Sequence, residues 1–131
     1  MGEALYVRYQ GTTPNARGHY PGVFALANGL QRRGELSEEE QRFLRAGNDW
    51  YQANFTDPST VDPDVYDRDL HPRAAAWFKV SAEELIGRVD GYLALLAAHG
   101  VPCGRIESTD PGEIVYEDPD QVIAVPRGAG G

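Results

Sequence analysis

The sequence predicts a single α+β (or α/β) domain over residues 1–126. It should hold a mixed sheet of about five strands in the order β-α-α-loop-β-α-β-β-β, with helices packed on the sheet. Three observations carry this expectation. Ser37-Glu-Glu-Glu40 and Ser81-Ala-Glu-Glu84 each combine a serine cap with a glutamate three residues on, ahead of apolar residues at helical spacing. Residues 4–10 place Leu5, Val7 and Tyr9 at a period of two, which marks a half-buried strand. Residues 104–126 set three runs of β-formers around Asp110-Pro111-Gly112 and Asp118-Pro119-Asp120. In such turns proline fixes φ, glycine supplies a positive φ and aspartate bonds its own backbone.

In chain order, the first strand runs into a loop over residues 11–20 that is rich in glycine, proline and asparagine. Pro21 suits a first helical position, and Val23, Phe24, Leu26, Ala27 and Leu30 trace one face up to Gly34. Ser37 opens a second helix with Phe43, Leu44, Gly47, Trp50 and Tyr51 on one side, which makes a helical hairpin with the first. Residues 56–73 carry Pro58, Pro63 and Pro72 and five aspartates against one internal arginine, so they read as a long acidic loop. Val61, Val65, Tyr66 and Leu70 should pin it in part to the body. Residues 74–79 read as a strand. Ser81 then caps a long helix with Leu85, Ile86, Val89, Tyr92, Leu93 and Leu96 inside and Gly100 at its stop. Strand, helix and the strand at Arg105 form a βαβ unit with a right-handed crossover. The last three strands form an antiparallel meander, and residues 127–131 should be a disordered tail.

Pro111-Gly-Glu-Ile-Val-Tyr-Glu-Asp118 followed by Gln121-Val-Ile-Ala-Val-Pro126 resembles the C-terminus of small bacterial proteins of uncharacterised function. Trp77-Phe78-Lys79 before a long helix matches the same group. The resemblance implies a fold and no activity.

Composition narrows the function classes. A formal net charge of −8 over 131 residues repels nucleic acid and anionic membrane surfaces. One cysteine, Cys103, excludes an intramolecular disulfide and fits a reducing compartment. No apolar stretch approaches the roughly 20 residues of a membrane span, and no signal-peptide pattern opens the chain. A cytoplasmic location follows as the expectation.

Neither nucleotide-binding glycine pattern is present in the loop of residues 11–22, yet that loop leads from a strand to a helix start. Arg8, Arg17 and His19 stand there, a pattern suited to a carboxylate or phosphate; the plainer reading is a solvated connector. Trp50 and Tyr51 can wall an apolar cleft or continue the core face. The aspartates of residues 56–73 lack calcium-loop order, so no metal is assigned. His71 stands beside Asp69 as a candidate acid–base group or a surface residue, and His99 suits a helix C-terminus. No cofactor fingerprint is found. Two functions remain: a non-catalytic module that binds a protein or ligand through residues 56–73 and nearby aromatics, and a small enzyme or binding protein for an anionic small molecule. The ligand-binding residues of the second are Arg8, Arg17, His19, Trp50, Tyr51 and His71.

Overall fold

The computed structural model describes residues 5–15, 18–67 and 69–126. The expected tail at 127–131 lies outside them, as does Arg17. The elements are β1 (Tyr6–Gly11), α1 (Val23–Arg32), α2 (Glu38–Asn54), a 3-10 turn (Pro58–Thr60), β2 (Ala75–Lys79), α3 (Glu83–Gly87), α4 (Val89–Ala98), β3 (Cys103–Ser108), β4 (Glu113–Glu117) and β5 (Gln121–Val125). The order is the expected one, and the fold class is α+β.

The sheet differs from the expectation in three ways. It is antiparallel throughout, in the order β3-β1-β2-β5-β4, and not mixed. β2 and β3 do run in the same direction, but β1 lies between them. All six residues of β1 pair with β3, while the far edge of β2 belongs to β5. The βαβ unit is therefore split. The meander is also cut down to one hairpin, β4–β5. Asp118 closes its turn by accepting the Asp120 and Gln121 N–H groups on Oδ1, at 2.9 and 3.0 Å. Asp110-Pro111-Gly112 instead carries the chain from one edge of the sheet to the other. Finally, a bulge at Val115 breaks the alternation of β4, so Ile114 pairs with Ala124 and Tyr116 with Ile123 on opposite faces.

The crossing at residues 109–112 sets the shape of the sheet. Ser108 stands opposite Tyr6 at one end, whereas Glu113 stands opposite Val125 at the other end and on the other edge. Five Cα steps reach at most about 18 Å, while four strand spacings in a flat sheet already take about 19 Å. The sheet must therefore roll, bringing β3 and β4 toward each other on the side away from the helices. That explains why β1 is buried on both faces and not on one, and why Val122 and Ala124 have no exposed surface.

Against the outer face, Val7, Tyr9 and Phe78 meet Leu30, Leu44, Tyr51, Val89, Tyr92 and Leu96 in one core. Phe24 sits edge-on to both Tyr51 and Tyr92, with ring centroids 4.7 and 5.1 Å away. The Tyr51 hydroxyl donates to the Leu85 carbonyl at 2.6 Å, and burial raises its pKa far above the ordinary value. α1 begins two residues later than expected. Gly22 is its cap, and Pro21 stays outside to accept the Gly11 N–H at 2.8 Å. The second serine box does not form. Residues 79–82 close a turn through Ala82 N–H to the Lys79 carbonyl, so α3 starts after Ala82 with no side-chain cap and breaks from α4 at Arg88, after Gly87. Of the described residues in the acidic loop, Pro58 and Val65 are buried; Val61 and Leu70 are exposed, so they do not pin it.

The Ser37 box forms in full. Ser37 Oγ accepts the Glu40 N–H at 3.1 Å, and Glu40 Oε1 accepts the Ser37 N–H at 2.9 Å. The Ser37 N–H holds the Glu40 carboxyl below its usual range against the opposing effect of desolvation, and His99, with Nε2 3.0 Å away, adds to the lowering. A pKa depressed on folding contributes stability above the unfolded value, and that contribution is lost as pH falls through the folded value. Wild type should therefore lose melting temperature more steeply than Glu40→Gln below about pH 4.3, the ordinary glutamate value. Parallel acid melting curves would remove Glu40 from the pH response.

Candidate functional site

β1 and β2 pair only at Tyr6–Lys79 and Val7–Phe78, then part. Arg8 fills the gap. It is 8% exposed. Its Nη1 donates to the Ala76 carbonyl at 3.0 Å, its Nη2 to the Tyr20 carbonyl at 2.9 Å and its Nε to Gln10 Oε1 at 2.8 Å. These neutral acceptors spread the charge without cancelling it. Among the described residues no carboxylate forms an ion pair with Arg8. A buried charge in that condition is costly. Burial accordingly lowers the Arg8 pKa, though a guanidinium stays protonated.

Arg8 lines two cavities. The larger, about 470 Å³, lies between the sheet and the helices. Phe24, Tyr51, Phe55 and Phe78 give it aromatic walls, and Thr56, Asp57, Pro58 and Tyr66 close it from the acidic loop. Gly22, Val23 and Phe24 bring the start of α1 to it. No side chain caps that helix end, so its first N–H groups have no cap acceptor. Gln121, 1% exposed, lines the same space. Its Nε2 donates to the Thr56 carbonyl at 2.7 Å and to Asp118 Oδ2 at 2.9 Å, while its Oε1 is buried with no partner. Desolvation first, and the charge of Asp57 second, raise the Tyr66 pKa, so its hydroxyl stays protonated at neutral pH.

The smaller cavity, about 300 Å³, lies inside the roll. Arg8, His19 and Arg73 line it with Trp77, Ile106 and Pro111, and none of the described residues lining it is acidic. Desolvation, then Arg8 and Arg73, lower the His19 pKa.

Of the residues singled out from sequence, Arg8 and Tyr51 share the larger cavity, and Arg8 and His19 share the smaller. Trp50 reaches neither. It lies beneath the Arg88 guanidinium, 3.9 Å from ring centroid to Cζ, and edge-on to Tyr51. His71 braces its own loop, with Nδ1 3.1 Å from the Asp64 carbonyl oxygen and 3.0 Å from that of Val65. Burial pushes the Cys103 thiol up, which disfavours the thiolate. The sequence reading named residues 56–73 as a binding stretch but did not single out Asp57, Tyr66 or Arg73 within it, nor Gln121, as ligand-binding residues.

These features define a small α+β protein whose rolled antiparallel sheet is split by a buried arginine, with an aromatic chamber on one side and a cationic one on the other. A scan against protein-family models finds no match, and searches of curated proteins and of solved structures find no significant match. Among the described residues no helix is long and apolar enough to cross a membrane.

Proposed function

We propose that the chain is a binding module for a small organic anion with an aromatic body and a hydrogen-bond donor. The observation that carries the reading is Arg8, a buried cation facing an aromatic chamber with no carboxylate partner among the described residues. An oxyanion beside it would gain charge-assisted hydrogen bonds from the guanidinium and the favourable field of the α1 N-terminus. Phe24, Tyr51, Phe55 and Phe78 would take the ring, and Gln121 Oε1 would accept a ligand N–H or O–H. The volume suits a molecule of one or two rings.

Residues 56–73 enter this reading as one wall of the chamber. Val61 and Leu70, exposed among the aspartates, would favour a protein partner for that loop. Thr56, Asp57, Pro58 and Tyr66 face the chamber, and this favours the small ligand.

Three probes test it by calorimetry and thermal shift: 4-hydroxybenzoate, 4-fluorobenzoate and 4-hydroxybenzyl alcohol. The first should bind and raise the melting temperature, because a ligand of the native state must stabilise it. The fluoro acid, which leaves Gln121 unmatched, and the neutral alcohol, which leaves Arg8 unmatched, should each bind at least about tenfold more weakly. Equal binding of the two acids removes Gln121 from recognition. An alcohol as good as the acid removes Arg8, and no binding by any of the three defeats the reading.

A further inference from the structure

The cationic chamber has no place in that reading and stands on a different observation. Three cationic or protonatable side chains converge there from separate stretches of chain: Arg8 from β1, His19 from the loop before α1, and Arg73 from the end of the acidic loop. Among the described residues no acidic side chain joins them in the lining, although the whole chain carries a net charge of −8. Like charges gathered in this way repel one another, and the arrangement gains from an anion that bridges them.

Arg73 adds backbone evidence. Its φ is +60°, and among the described residues it is the only non-glycine residue with a positive φ. That conformation is strained for an arginine and free for glycine. Glycine would serve the turn better, so the turn alone does not account for an arginine at this position. The side chain it delivers to the chamber does.

We infer that Arg8, His19 and Arg73 form a second site, for a compact oxyanion of the phosphate class. Arginine forks match phosphate oxygens in pairs, and an imidazolium adds a third donor direction. At 300 Å³ the chamber has room for one such group and a small substituent, with Trp77 on its wall. Arg8 and Arg73 are the charged groups that face His19, and both disfavour its protonation in the empty site. A bound phosphate would reverse the balance, so binding takes up a proton on His19 and strengthens as pH falls through the imidazole range.

The test uses inorganic phosphate and phenyl phosphate against sodium chloride at matched ionic strength. It reads melting temperature and the His19 imidazole resonance, assigned with His19→Gln. Phosphate should raise both the melting temperature and the His19 pKa, where chloride moves neither. Phenyl phosphate binding more tightly than inorganic phosphate identifies the group as the head of a larger molecule; equal binding identifies the free anion. Arg73→Gly relieves the backbone, so it should melt no lower than wild type while losing phosphate affinity by at least about tenfold. It should still bind 4-hydroxybenzoate as wild type does. A response no greater than that to chloride, or full phosphate affinity in Arg73→Gly, overturns the site. Loss of 4-hydroxybenzoate binding in that variant overturns its independence from the aromatic chamber. A failure with phosphate alone leaves the aromatic-chamber reading untouched.

Discussion

Replacing Gly112 with valine should destabilise the domain by about 3 kcal/mol or more, lowering the melting temperature by roughly 10 °C. Two costs add. Gly112 has φ +136°, a region that side chains with a Cβ rarely enter. A Cβ there would also run into the Val125 carbonyl oxygen, which is backbone and cannot swing aside. Local relaxation is costly, because residues 109–112 are the short connection that joins the two edges of the sheet. Gly104→Val is the control: it sits in β3, where an added Cβ meets nothing within 4 Å. That change should be neutral or mildly stabilising, since a β-branched residue suits a strand. If both variants melt alike, the crossing does not depend on its glycine.

Gly112 also marks how far the sequence could be read. Asp-Pro-Gly identified a turn with a positive φ, and that is what the structure has. It could not identify what the turn connects. Turn chemistry is local, whereas strand order is decided by which edges are free. β1 takes β3 along its whole length and β5 takes β2, so β4 is left with one edge, on the far side of the sheet. The Ser37 box was legible because capping is settled within four residues. The Ser81 box failed because the turn at residues 79–82, anchored at the end of β2, set the helix start first.

The site divides along the same line. Arg8, His19 and Tyr51 stood out because a cationic loop leading to a helix start and a polar-tipped aromatic are local signals. Trp50 shared the signal of Tyr51, but the helix turns it 100° away, under Arg88. Gln121 could not be found in this way. Its importance comes from an amide oxygen with no partner after Thr56 and Asp118 have taken the nitrogen, and Thr56 is 65 residues distant in sequence. Arg73 was hidden because its side chain is ordinary for a loop; only its φ sets it apart.

Gly22→Asp should raise stability and abolish binding of 4-hydroxybenzoate, an opposite pair of effects that follows from a buried cation lacking its anion. Gly22 has φ −75° and ψ 166°, which any residue adopts, and it occupies the cap of α1. A Cβ there would lie 3.5 Å from both terminal nitrogens of Arg8, at ordinary contact distance. An aspartate would therefore bring its carboxylate to the guanidinium and to the uncapped N–H groups of α1 together. The cap itself gains only a few tenths of a kcal/mol over glycine. A charge-assisted hydrogen bond adds about 1.5–3 kcal/mol, reduced by the desolvation of the new carboxylate. A rise of several degrees in melting temperature should result. Gly22→Asn fills nearly the same space and caps the helix without the charge, so it should gain less. The acid probe would then meet an arginine already paired and a chamber mouth bearing negative charge, and its affinity should fall by at least about a hundredfold, the weight of one such bond plus the new repulsion. Gly22→Asp melting below Gly22→Asn would mean that Arg8 does not lack a counter-charge. Undiminished binding in Gly22→Asp would place the ligand's anion away from Arg8.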